Sequence, residues 1–285
     1  MGESFGTSNI KQSSRNTKEK LEQELTAEEL MDKMLDPFFL PPQELVYSHF
    51  RKFNAYKSTP EQLKWQNFMR LGEGKNIFEI WTKEYINAFG NYLAQRVEEL
   101  GGTKENPIII LEVGAGDGRL THFLQQKMNE KVPDKVRLIA SDSGSWEISP
   151  SFPVENINHK EALEKYNPKI IICSWMPNHV DLTKEFRATK SVNEYILIGM
   201  ADNNMSGDAW QTWGATWANF LESEERIKDE PLYERDGFER IDHHDLRSLQ
   251  LSRIEVMDGP TTQPDTIPTK STTVSFKRKR QPLNN

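Results

Sequence analysis

Cys173 is the only cysteine among 285 residues. One thiol excludes an intrachain disulfide and a zinc site built from cysteines. Long apolar runs are missing too. No stretch approaches the roughly 18 uncharged apolar residues that a membrane-spanning helix needs. Residues 1–30 are mainly polar, so no secretory leader is expected, and Gly6 stands where a myristoylation signal has Ser or Thr. Positive charge is in deficit, with 36 Lys and Arg against 43 Asp and Glu for a net charge of −7. Such a balance gives no general affinity for a nucleic-acid backbone. Lys277-Arg278-Lys279-Arg280 is a local exception, readable as a nuclear-import or phosphate-binding patch or as a solvated strand end. Apolar content is also low, at 36% with a mean hydropathy of −0.72, so part of the length is expected to be solvated tail. These absences describe an intracellular protein, cytoplasmic or nuclear, that does not engage membranes.

Residues 1–24 are rich in Ser, Lys, Glu, Gln and Asn and are expected to be disordered, because they cannot bury enough surface to offset ordering entropy. Thr26-Ala27-Glu28-Glu29 then has the spacing of a capping box and opens a short helix through Leu30, Met34 and Leu35, stopped by Pro37. Phe38 to Pro42 reads as an apolar connector. Thr59-Pro60 caps a second helix to about Leu71, ended by Gly72 and Gly74. Phe78, Trp81, Tyr85, Phe89, Leu93 and Val97 recur at three- and four-residue steps and predict a long helix over 76–100, terminated by Gly101-Gly102.

From residue 107 onward, short apolar runs alternate with helical patterns. Runs at 108–113, 136–140, 169–173 and 195–199 read as strands, with helices around Leu120–Met128 and Lys160–Tyr166 between them. Continuous apolar strands suit a parallel sheet covered on both faces. Segments 238–242, 253–256 and 272–277 are strand-like without crossover helices, which predicts an antiparallel addition at one edge.

The segment Leu111-Glu112-Val113-Gly114-Ala115-Gly116-Asp117-Gly118-Arg119 joins the first strand to its helix. Glycines allow a sharp turn and close approach of the backbone to a ligand. A dinucleotide fingerprint, G-x-G-x-x-G, would place its third glycine at Arg119, and it is not there. The spacing is G-x-G-x-G preceded by the acid Glu112. This resembles motif I of the class I S-adenosylmethionine (AdoMet)-dependent methyltransferases, written [DE]-x-G-x-G-x-G. Another nucleotide ligand and a purely structural glycine turn remain alternatives.

The resemblance covers about residues 76–280 and implies an α/β fold: a Rossmann-like doubly wound sheet, mostly parallel with an antiparallel C-terminal edge, preceded by N-terminal helices. It implies AdoMet as cofactor, held by Glu112, Gly114, Ala115, Gly116 and Gly118, with Asp142 and Ser143 at the tip of the second strand. Asp142 would take the ribose hydroxyls, or else serve as a turn residue, and Trp146 would stack on adenine or simply pack. Ser174-Trp175-Met176-Pro177 occupies the position of motif IV, which faces the transferable methyl in that family, without the Asn/Asp-Pro-Pro-Tyr sequence of some amine methyltransferases. Ser174, Trp175 and His179 are therefore the candidate catalytic residues, His179 being either a base or a surface-loop histidine. The domains implied are a tail over 1–24, a helical cap region over 25–105, an AdoMet-binding methyltransferase domain over 106–280, and a tail over 281–285.

Phe78, Trp81 and Tyr85 are candidate lid residues over the acceptor. The loop 200–208 is a candidate wall of the acceptor pocket. Trp210, Trp213 and Trp217 at three- and four-residue steps form either an aromatic cage or one buried helix face. No histidine–carboxylate spacing suggests a metal site. The acceptor, a small molecule or a protein side chain, is not encoded in any motif, and the N-terminal region is the candidate surface for a protein partner. A likeness to poorly described eukaryotic methyltransferase-like proteins, carried by Ser174–Pro177 and Glu194–Gly199, names no substrate. The competing function is a catalytically inactive domain that binds a partner.

Overall fold

The computed structural model describes residues 25–53, 58–71, 77–215, 230–258 and 271–279. The segments 1–24 and 281–285, Gly72, Gly74, Trp217 and Arg280 lie outside the described residues.

Helix α1 (Ala27–Leu35) begins with the expected capping box, in which the Thr26 hydroxyl accepts from Glu29 N–H while the Glu29 carboxylate accepts from Thr26 N–H. Helices α2 (Gln43–Phe50) and α3 (Pro60–Leu71) follow. The next helix, α4 (Lys83–Glu99), is shorter than the 76–100 periodicity predicts. Thr82 accepts from Tyr85 N–H and starts the helix there, while residues 77–81 run extended. Glu79 forms a bridge to Ser252, and Ile80 N–H donates to Leu251 O at 2.7 Å. Backbone pairing with a distant segment thus overrides the local helical pattern.

The sheet comprises β1 (Ile108–Val113), β2 (Val136–Asp142), β3 (Glu155–Asn156), β4 (Ile170–Ser174), β5 (Glu194–Gly199), β6 (Phe238–Asp242) and β7 (Thr272–Arg278). Its order is β3-β2-β1-β4-β5-β7-β6, parallel through β5, with β7 antiparallel to both β5 and β6. The chain moves outward from β1 to β3 and returns to place β4 on the other side of β1. That reversal is the topological switch point of a Rossmann-like doubly wound sheet.

The period-2 alternation of strand side chains divides the core. Ile110, Ile172, Ile196 and Ile198 face α4 and α5 (Arg119–Lys131). Leu111, Ile171, Cys173 and Leu197 face α6 (His159–Tyr166) and α7 (Thr183–Ala188). Full burial of each such side chain contributes about 1.5–3 kcal/mol.

A third cluster joins Leu30, Val46, Phe50, Trp65 and Met69 to Leu251 and Val256. Its C-terminal contribution corrects a sequence expectation. The strand-like run 253–256 is the helix α10 (Arg253–Asp258), entered after the short helices α8 (Leu232–Arg235) and α9 (His244–Arg247). Ser252 N–H donates to the Glu255 carboxylate at 2.8 Å and the Ser252 hydroxyl accepts from Ile254 N–H, which is helix-start chemistry. Gln62 of α3 donates to Val256 O.

The basic run is architectural where it is described. Lys277 and Arg278 belong to β7. The Arg278 guanidinium donates to the carbonyls of Val192, Arg187 and Thr189 at 2.8–3.2 Å and lies over the Phe238 ring. Lys279 pairs with Glu234. No helix among the described residues is long and apolar enough to cross a membrane.

Candidate functional site

Parallel strands present their carboxyl ends to one edge of the sheet, and the switch point between β1 and β4 leaves a crevice there. A cavity of about 460 Å³ opens at that edge, within the range of small-molecule sites. Its lining includes Glu112 to Asp117 at the end of β1 and just beyond it, Ser141 to Ser143 at the end of β2, and Cys173 to Pro177 at the end of β4. Of the residues the sequence nominated, Glu112, Gly114, Ala115, Gly116, Asp142, Ser143, Ser174 and Trp175 converge on this one space.

Gly118 and His179 do not line it. Gly118 turns the chain into α5 at φ +79°, where a Cβ would stand 2.7 Å from Val154 Cγ2 and 3.2 Å from Phe152 Cβ. Its glycine is required by that backbone and that packing. His179 is exposed, and its N–H donates to Gly207 O. The loop 200–208 also stays off the cavity; it folds back so that Gly207 N–H donates to Met176 O. Of the candidate lid residues, Phe78 and Trp81 line the cavity, whereas Tyr85 is buried in the core with its hydroxyl against Thr273. Residues 209–213 form turns, and Trp213 is a core residue whose indole N–H donates to Ser206 O.

The loop after β1 is held from two sides. Asp142 accepts from Gly116 N–H at 2.9 Å through one oxygen and from Gly144 N–H at 2.8 Å through the other. Each carboxylate oxygen retains a second lone pair. Gly114 has φ +68° and open space where a Cβ would project, so the backbone itself forms the cradle.

The start of α5 is occupied from within the chain. Thr121 N–H and hydroxyl both donate to Glu112 Oε2, at 3.1 and 2.5 Å, and Arg119 N–H donates to Asp117 Oδ1 at 3.1 Å. These are amides that a pyrophosphate would need at a helix N-terminus. A diphosphate here would meet bound amides and the carboxyl groups of Glu112, Asp117 and Asp142, the single nearby guanidinium among the described residues, Arg119, being paired with Asp117 at 3.3 Å. The local field instead favours a ligand that brings positive charge.

Glu112 carries the clearest sign of that field. It is buried at 3% exposure, and burial pushes its carboxyl up to about 8, with the charges of Asp117 and Asp142 adding to the rise and the Thr121 hydrogen bonds opposing it. Cys173 beneath it is raised to about 12, also by burial, and is therefore an unreactive thiol at neutral pH.

Sequence reasoning missed Glu79. It lines the same cavity, is 6% exposed, and accepts from the Trp175 indole N–H at 2.9 Å and from the Ser271 hydroxyl at 3.1 Å. Burial, with Glu255 nearby, pushes its carboxyl up to about 8. The available signal was a lone acid inside the apolar run Ile77-Phe78-Glu79-Ile80-Trp81. Trp175 sits at φ +51°, unusual for a bulky residue, held by its own N–H to Ile198 O at 2.7 Å and by the indole bond to Glu79.

No protein-family model and no curated protein sequence matches the chain. Solved structures do resemble it. The CurJ carbon methyltransferase superposes with a TM-score of 0.41 at 11% identity, covering 95% of this chain and 71% of that one. The DszA carbon methyltransferase gives 0.40 at 12% identity, over 84% of this chain and 69% of that one. A SAM-dependent O-methyltransferase from Thermotoga maritima gives 0.36 at 7% identity, over 77% and 73%. At these scores and identities the likenesses establish neither activity nor substrate, and they lend nothing to the eukaryotic likeness seen in the sequence.

Proposed function

We propose that the chain is an AdoMet-dependent methyltransferase acting on a small molecule or a protein side chain. The observation that carries this reading is the acid-closed start of α5. Glu112 and Asp117 occupy amides that a dinucleotide would need, and the resulting acidic loop suits a nucleoside whose far end is cationic. Two features fit the cofactor: the open space at Gly114, and a buried Glu112 whose charged neighbours are acids.

When bound, AdoMet supplies a methyl group on a sulfonium, transferable to a nucleophile by in-line displacement. Glu112 and the backbone of Gly114, Ala115 and Gly116 would hold the methionine end. The spare lone pairs of Asp142 would accept the ribose hydroxyls, while its present bonds to Gly116 and Gly144 keep the loop in shape; Ser143 stands on the rim beside it. Ser174 and Trp175, at the end of β4, would form the wall beside the acceptor. Phe78, Trp81 and Trp175 would exclude water, which competes with the acceptor. The exposed position of His179 outside the cavity lends no support to a role as base.

A second reading, a non-catalytic domain that keeps the fold and binds a partner, draws on Asp142, whose two oxygens already serve the loop. Calorimetric titration separates the two. The methyltransferase reading expects micromolar binding of AdoMet and S-adenosylhomocysteine, abolished by Gly116→Arg and weakened by about 1–3 kcal/mol in Asp142→Ala, the usual loss of a hydrogen-bond partner in a buried site. Uptake of neither compound would remove this reading. Binding without turnover on small-molecule and peptide acceptors would favour the partner-binding domain.

A further inference from the structure

Glu79 is a buried carboxyl on the cavity wall whose partners among the described residues are neutral donors (Trp175, Ser271 and Gln250) and a second acid, Glu255. Around it stand aromatic rings. Phe78 lies 5.7 Å from Trp175 and 5.8 Å from Trp146, centroid to centroid, and all three line the cavity. Trp146 is 49% exposed, a large apolar surface left open at the rim. The charged and titratable groups packed near Glu79 are Glu255 and Arg253 of α10 and Tyr85 of α4. The Arg253 guanidinium lies over one face of Phe78, 3.7 Å from the ring centroid, and forms no ion pair with Glu79 among the described residues.

Glu79, Glu112 and Asp142 give the cavity wall more acids than bases; the one arginine on it among the described residues, Arg119, is already paired with Asp117 at 3.3 Å, so an anion has no free cation to meet here. A purely apolar ligand would leave the Glu79 carboxyl protonated and its acidity unused. Aromatic faces and a buried carboxylate are both complementary to an organic cation. We propose that this part of the cavity, formed by Phe78, Glu79, Trp146 and Trp175, binds an ammonium ion carried on an apolar or aromatic group. Its identity as the methyl acceptor rests on the methyltransferase reading above, and in that role the ammonium must first return a proton to the Glu79 carboxylate, so that the neutral amine's lone pair attacks; its existence as a cation site rests on neither.

The cation stabilises the ionised form of Glu79, so the carboxyl gives up its proton as the ammonium enters. Affinity for the ammonium therefore rises with pH up to the region of 8 and then levels while the amine stays protonated. A carboxyl that merely ties Trp175 to Ser271 shows no such coupling.

The test uses benzylamine and its neutral analogue benzyl alcohol, titrated into the full chain with S-adenosylhomocysteine present in excess. Tryptophan fluorescence reports occupancy, and calorimetry in two buffers of different ionisation enthalpy reports proton release. Wild-type protein is expected to prefer benzylamine by about tenfold, the scale of a cation–aromatic contact with a charge partner, and to release a proton on binding it. Glu79→Gln, which keeps the side-chain shape and an acceptor for Trp175, is expected to lose both the preference and the proton release while still binding S-adenosylhomocysteine. Phe78→Leu is expected to lower the preference without affecting the alcohol. Equal affinity for the two compounds, a preference that survives Glu79→Gln, or complete displacement of the amine by S-adenosylhomocysteine would overturn the ammonium site. The methyltransferase reading would stand in those cases so long as the nucleoside itself binds. If the protein takes the amine in a Glu79-dependent way but never the nucleoside, the cation site holds and the methyltransferase reading fails.

Discussion

Replacing Glu112 with Gln tests the electrostatics of the loop after β1 without changing its shape. In the folded chain, burial and the neighbouring acids raise this carboxyl from 4.5 to about 8. In the unfolded chain it ionises near its ordinary value. Between those two pH values the folded state holds a proton that the unfolded state has released, so stability falls as pH rises through this window and the loss is complete above about 8. At roughly 1.4 kcal/mol per pH unit, the displacement corresponds to a loss on the order of 3–5 kcal/mol. Below 4.5 both states are protonated and the residue contributes no pH dependence. Glutamine cannot ionise, yet its side-chain oxygen can still accept from Thr121 N–H and hydroxyl. Urea unfolding of wild-type and Glu112→Gln protein at about pH 5 and about pH 8.5 should therefore diverge, with the variant gaining several kcal/mol relative to wild type at the higher pH. Glu79 titrates in the same sense in both proteins and cancels in the difference. Parallel curves would refute the claim that burial, with Asp117 and Asp142 nearby, keeps the Glu112 carboxyl protonated up to about 8.

Other substitutions examine the scaffold. Gly118→Ala combines a left-handed backbone with a Cβ 2.7 Å from Val154 Cγ2, and thermal denaturation should show a loss of about 2–4 kcal/mol. An unchanged midpoint would mean that the turn into α5 is not as tight as described. Arg278→Ala leaves three carbonyls without their charged donor and should cost about 2–3 kcal/mol in urea unfolding, whereas a neutral result would return the basic run to a surface role.

The parts of this fold that were readable in advance are those specified by neighbours in sequence. Thr26 and Glu29 announce α1 at capping-box spacing, and the β1–loop–α5 unit is written in consecutive residues. Misreadings arose where a distant contact decides. Arg253-Ile254-Glu255-Val256 fits a strand or a helix by periodicity alone. Packing against α3, with Gln62 reaching Val256 O across 194 positions, makes it helical. The Ser252…Glu255 pair was a local signal for that helix and was overlooked. Similarly, the aromatic repeat continues upstream of Thr82 although the backbone there pairs with Leu251 and Ser252.

In the candidate site, residue types were legible but their commitments were not. Glu112 and Asp142 were visible as acids at strand ends, while the amides that each already holds depend on how the loop folds. Glu79 was hidden because its segment read as helix, and only the extended backbone at 77–81 and the turn at Trp175 bring it to the cavity. Gly118 was read from the glycine spacing, and the structure gives it a packing role at the turn into α5; of the two readings of His179, a base or a surface-loop histidine, its exposed position matches the second.

Crystals of the full chain grown with S-adenosylhomocysteine provide the most direct measurement. The nucleoside is expected to lie in the crevice beyond β1 and β4, against Gly114 to Gly116 and beside Asp142, with its amino group toward the acidic loop. A crevice that stays empty at saturating ligand, or a nucleoside bound elsewhere on the molecule, would contradict it.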